Sequence, residues 1–153
     1  MDAVLIDTDV FSYLLKRADT RAEAYRSHVA NKTIAISFVT VGELYSWAEK
    51  RQWSPERRAD LDATLRSVVI VPFDLDLCRA YGRLALMKTD EGTDRRLASN
   101  DRWIAACAIR HSLTLISNNR KHFEGIPDLT LVSEVPMSAP AKSPRLPMSE
   151  EPE

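Results

Sequence analysis

Five short runs rich in β-branched residues recur along the chain, at 4–6, 33–37, 68–71, 114–117 and 130–132, with helix-patterned stretches between them. Strands that alternate with helices need crossover connections, which favour parallel pairing with helices laid on both faces. The expected fold is α/β: a three-layer domain with a mainly parallel central sheet flanked by helices. Val10, Tyr13 and Leu14 mark a first helix and residues 21–30 a second. Val41, Leu44, Tyr45 and Ala48 begin a third. Pro55, at a first helical position behind Ser54 as cap, opens a fourth that Leu61 and Leu65 continue. Residues 75–86 carry a further apolar face, and 103–109 is so apolar that it should be a central helix. Residues 88–100 read as a polar loop.

At 153 residues the chain suits one domain, expected over 1–135. From Met137 onward come four of the eight prolines and little apolar content, so 136–153 is expected to be a disordered tail. No run of about 20 apolar residues predicts a membrane span, and the start has no secretory pattern. Cys78 and Cys107 lack metal-ligand spacing and read as free thiols of a cytoplasmic protein. His28, His111 and His122 form no zinc pattern. A net charge of -1 gives no overall attraction to nucleic acid, though a local basic groove is compatible with it.

Asp7 follows the first apolar strand directly, where a carboxylate is costly to desolvate unless a cation meets it. In parallel sheets ligands gather at the carboxyl ends of strands, which is where Asp7 should lie. Thr40 to Glu43 has the spacing of a capping box, and capping alone explains a lone Glu there. Asn100 suits an N-cap before the apolar helix, and Asp101 in its first turn gains from the helix dipole. Asn118 and Asn119 end a strand, where Asn favours turns.

Taken together, these residues crowd one sheet edge. Carboxylates sharing a small site repel, and not all stay ionised without a cation. Oxygen-only donors select a hard ion such as Mg²⁺, with Mn²⁺ able to substitute. That chemistry suits phosphodiester hydrolysis. Asp7 and Asp101 are the expected direct ligands. Glu43 would be a ligand through water or a base for the attacking water, and Asn119 would hold a water of the ion's shell or a phosphate oxygen.

At these residues the chain resembles PIN-domain proteins, in particular VapC toxins of type II toxin–antitoxin pairs. The matching segments are Leu5-Ile6-Asp7-Thr8-Asp9-Val10-Phe11, the helical run from Ser37 to Leu44 with Glu43, Asn100-Asp101 before Trp103-Ile104-Ala105-Ala106, and the stretch from Leu115 to Leu129. The resemblance implies a Mg²⁺- or Mn²⁺-dependent endoribonuclease, inhibited by a cognate VapB-like antitoxin and often a homodimer. Two departures stand out. Asp9 stands where many members have Asn, and Asn119 stands where Asp is frequent, so a second ion would be held weakly.

RNA approaching an acidic edge needs cations nearby. Arg95, Arg96, Arg102, Arg120 and Lys121 flank the candidate site and are phosphate-contact candidates, against the alternative of ordinary solvated charge. Arg51, Arg57 and Arg58 read as ordinary surface. Trp47 and Trp53 read as core or interface before base-stacking residues. Tyr13, Leu14, Leu44, Tyr45 and Trp47 could form an apolar groove for an antitoxin helix or a second copy. Two rivals stay in view. One is a catalytically degenerate module that only binds RNA or a partner. The other is a haloacid dehalogenase-like phosphatase opening on Asp7-Thr8-Asp9, although Val10-Phe11 departs from its pattern.

Overall fold

A computed structural model describes residues 2–16, 18–87 and 97–137. The five strands β1 (Ala3–Ile6), β2 (Thr33–Ile36), β3 (Val69–Ile70), β4 (Thr114–Ile116) and β5 (Leu131–Val132) form one sheet in the order β3-β2-β1-β4-β5. All four pairings are parallel, with Leu5 opposite Ala35 on one side and Leu115 on the other. The chain winds outward from β1 through β2 to β3, then returns to β1's other side for β4 and β5. The order therefore reverses beside β1, and the crevice beyond the carboxyl ends of β1 and β4 is where such a sheet binds ligands.

Alternation along the strands sends side chains to two cores. Leu5, Ala35 and Leu115 face one, with Leu77 of α5 (Leu75–Arg83) and Ile104 to Ala108 of α6 (Ser99–Arg110). Val4, Ile6, Ile36 and Ile116 face the other, with α1 (Thr8–Leu15), α2 (Thr20–Val29), α3 (Phe38–Lys50) and α4 (Pro55–Ser67). A short α7 (Arg120–Phe123) inserts Phe123 into the first core. The result is the three-layer arrangement expected from the sequence. Leu115 is fully buried between strand neighbours. Leu115→Ala should cost about 2–5 kcal/mol, read as a lower urea midpoint at unchanged slope.

Two helix starts differ from expectation. The third helix begins at Phe38 because Ser37 caps it, its Oγ accepting the Thr40 amide at 3.2 Å. Glu43 therefore lies beyond the first turn and has no capping task. The apolar helix begins at Ser99, and its N-cap Ala98 offers no side-chain bond, so neither Asn100 nor Asp101 is the cap. Ser54 does cap α4, accepting the Arg57 amide at 3.2 Å ahead of Pro55. Asp74 caps α5 and also takes Arg110 at 3.0 Å, tying α5 to the end of α6.

Most of the loop expected at 88–100 and most of the expected tail lie outside the described residues. Among the described residues, no helix is long and apolar enough to cross a membrane. Cys107 is buried and Cys78 half-buried, both as free thiols.

Candidate active site

The end of β1 delivers Asp7 into the crevice between β1 and β4. Only 3 % of Asp7 is exposed. Its Oδ1 accepts the Thr8 amide at 2.7 Å and its Oδ2 accepts the Ser117 hydroxyl, from the end of β4, at 2.7 Å. Ser117 Oγ in turn accepts the Asn119 amide at 3.0 Å. One hydroxyl thus ties the first strand's carboxylate to the turn after β4.

Asp9, in the first turn of α1, shares the field of Asp7. Its Oδ1 accepts the Val10 amide at 2.7 Å. Its Oδ2 is buried with no well-formed hydrogen bond, within electrostatic reach of the Asn118 amide and the Asp7 carboxyl. From α3, Glu43 meets Thr8 Oγ1 at 3.4 Å and lies close enough to Asn100 to be hydrogen-bonded by it. Thr8 Oγ1 also meets Thr40 Oγ1 at 2.9 Å, which fixes α1 against α3. From α6, Asp101 pairs with His122 Nδ1 at 2.8 Å.

The electrostatics show that these carboxyl groups share one field. Burial, and then the charge of Asp9, push Asp7 up to about 8, with Asp101 adding to the rise. Burial likewise raises Asp9. Glu43 is raised by burial, with Asp101 and Asp9 adding to it. Asp101 therefore acts on both Asp7 and Glu43, although the three come from distant parts of the chain. Among the described residues, no three His, Cys, Asp or Glu side chains form a ready-made metal cage. Mg²⁺ does not require one, because it uses one or two carboxylates and keeps several waters. A buried, partnerless Asp9 oxygen beside an oxygen-only donor set fits a hard divalent cation.

The sequence profile of the PIN domain matches residues 4–129. The chain is 30% identical over 128 residues to Ribonuclease VapC2 of Rickettsia felis, covering 83% of this chain and 94% of that protein. The chain is a PIN-domain protein of the VapC family. Ribonuclease VapC1 of Haemophilus influenzae strain R2866 is 33% identical over 127 residues, covering 82% and 92% of the two chains. The crystal structure of VapBC2 from Rickettsia felis, bound to a DNA fragment from their promoter, superposes with a TM-score of 0.72 at 28% identity, covering 86% of this chain and 98% of that one.

Within this PIN domain, Asp7, Glu43 and Asp101 stand at one sheet edge with Asp9. Asn119 is exposed at the start of α7 and its side chain caps nothing. Arg102 is engaged inside the fold: it donates to the Tyr81 carbonyl at 2.8 Å and stacks 3.9 Å above that ring. Arg120 donates to the Val135 carbonyl and, at 3.0 Å, to that of Ser133. Lys121 is exposed, while Arg95 and Arg96 lie outside the described residues. Tyr13 and Leu44 are core residues and Leu14 is half-buried, so only Tyr45 of the expected groove is openly exposed.

Sequence reasoning missed Thr8, Thr40, Ser117 and the His122 contact. Hydroxyls beside strand ends give little signal, because Ser and Thr are common in turns. Asn118 is used structurally, its Oδ1 accepting the Tyr25 hydroxyl at 2.7 Å.

Proposed function

We propose that this PIN domain is a divalent-metal-dependent endoribonuclease acting as the toxin of a toxin–antitoxin pair. The observation that carries the reading is Asp7: a carboxyl group sealed from water among other acids, which a cation would relieve. The relatives' names, ribonucleases and VapBC complexes, support the substrate class and an antitoxin partner.

Asp7 and Asp101 are assigned to hold Mg²⁺, with Mn²⁺ as a substitute. When bound, the ion supplies positive charge against the scissile phosphate and acidity for the attacking water. Ser117 and the Thr8 amide orient Asp7, so its geometry is set before any ion arrives. His122 holds Asp101 through its ring nitrogen at 2.8 Å. Glu43, with its affinity for protons raised by burial, is the base that takes the proton of the attacking water. Asn119 presents an uncharged amide to water or to a phosphate oxygen. Lys121, with Arg95 and Arg96, is assigned to the RNA backbone. Arg102 and Arg120 have a first task within the fold. A VapB-like antitoxin and a homodimer complete the reading.

The test compares cleavage of structured RNA in Mg²⁺, in Mn²⁺ and in EDTA with that by the Asp7→Asn, Asp101→Asn double variant. Metal-dependent cleavage lost in the variant supports the nuclease. Equal RNA retention without cleavage in every sample would instead make the domain a binding module. Glu43→Gln should lower the single-turnover rate by about 10²- to 10⁴-fold. The Mg²⁺ concentration giving half-maximal rate should change far less, as a titration of rate against Mg²⁺ would show.

A further inference from the structure

Along α1, α3 and α4, a turn or more beyond Asp9 and Glu43, lies a cavity of about 110 Å³. Trp47, Trp53 and Leu61 supply its apolar wall. Lys16, Arg51 and Arg57 stand around it against one acid, Asp60. Arg57 lies 3.8 Å over the Trp53 ring and Arg51 lies 5.1 Å over that of Trp47. Trp53 is only 9% exposed, yet its indole N–H has no hydrogen-bond partner among the described residues. The pocket's chemistry is apolar contact, donors in excess and net positive charge.

We infer that this pocket binds the chain's own segment 146–153, Leu-Pro-Met-Ser-Glu-Glu-Pro-Glu, with Leu146 and Met148 against the tryptophans and Glu150 and Glu151 on the arginines. The segment is the pocket's complement. It carries three glutamates and no cation. Pro147 and Pro152 lack amide donors, so its backbone offers acceptors in excess to Lys16, Arg51 and Arg57. The path is short enough. Residues 133–135 lie against α2, where the Glu134 amide donates to the Tyr25 hydroxyl at 3.2 Å. α2 packs on α1, whose Ser12 and Lys16 line the pocket. Crossing two packed helices takes about 20 Å. The nine residues 138–146 reach about 30 Å when extended. Nothing in this inference depends on the nuclease reading.

Disulfide trapping in the full chain tests it. Met148→Cys is combined with Thr64→Cys, at the pocket, or with Arg79→Cys, exposed on α5 beside the other core. Under mild oxidation the 64–148 pair should form at least about tenfold faster than the 79–148 pair, as docking raises its effective concentration. Glu150→Lys with Glu151→Lys should abolish that preference. The same charge reversal, without added cysteines, should raise acrylamide quenching of tryptophan fluorescence. Equal trapping rates for the two pairs would overturn the inference. So would a preference that survives charge reversal, or tryptophan protection that appears only when RNA is added.

Discussion

Asp7→Asn should remove RNA cleavage by about 10³-fold or more and at the same time stabilise the metal-free protein. Few substitutions push activity and stability in opposite directions so sharply, and the reason lies in the environment of this one carboxyl. Both its oxygens already accept hydrogen bonds, from the Thr8 amide and the Ser117 hydroxyl. An Asn side chain keeps the first through its carbonyl, and the Ser117 hydroxyl can turn to accept the second. What disappears is a buried acid facing Asp9 and Asp101.

The pH dependence follows from the raised pKa. In the unfolded chain Asp7 ionises near its ordinary 3.8, and in the folded, metal-free chain near 8. Below the lower value both states hold the proton, and the group takes nothing from stability. As the pH rises towards 8 the unfolded chain releases a proton that the folded chain retains, so stability falls across that window. A shift of this size caps the loss at about 6 kcal/mol, and relaxation of the site reduces it. In EDTA at pH 8, Asp7→Asn should therefore unfold about 1–3 kcal/mol later than wild type, with the two converging near pH 4. Urea melts across that range measure it. A constant offset at every pH would mean that the substitution acts through packing and that the buried charge is not the cause.

The fold was legible because its signals are local and repeated. Strands such as Val4 to Ile6 and Thr114 to Ile116 carry β-branched runs at a length that fits a buried parallel sheet, and the stretches between them carry helical spacing. The strand ends that bear Asp7 and Ser117 then meet by topology alone. The helix starts were less legible. Thr40 and Glu43 have capping-box spacing, but Ser37 lies closer to the strand end and wins the cap, which leaves Glu43 to face Thr8. Asn100 looks like a cap, yet Ala98 occupies that position. Arg102 and Arg120 looked available for phosphate, and only tertiary contacts reveal their carbonyl partners. A sequence records which residues carry charge. It does not record which of them the fold has already satisfied.

The second large effect separates an ion-binding Asp101 from a structural one. Asp101 sits in the first turn of α6 but is not its cap, and among the described residues it pairs with His122 at 2.8 Å on the short α7. Its loss therefore leaves the apolar helix intact, and Asp101→Asn should melt within a few degrees of wild type in EDTA. Mg²⁺ in excess is where the two should part. An ion at about 100 times its dissociation constant adds about 2.7 kcal/mol to the folded state. For a domain of this size that raises the melting midpoint by about 5–10 °C. Wild type should show the rise together with cleavage, and lose both on chelation. Asp101→Asn should show neither. His122→Ala tells the two roles of the carboxylate apart, because it removes the ion pair while leaving the charge. If Asp101 serves the cation, His122→Ala keeps most of the Mg²⁺-induced rise, and freeing the carboxylate from its partner can even enlarge it. If Asp101 exists to anchor α7 through His122, the two variants should behave alike in every buffer, and the metal should stabilise both as it does wild type.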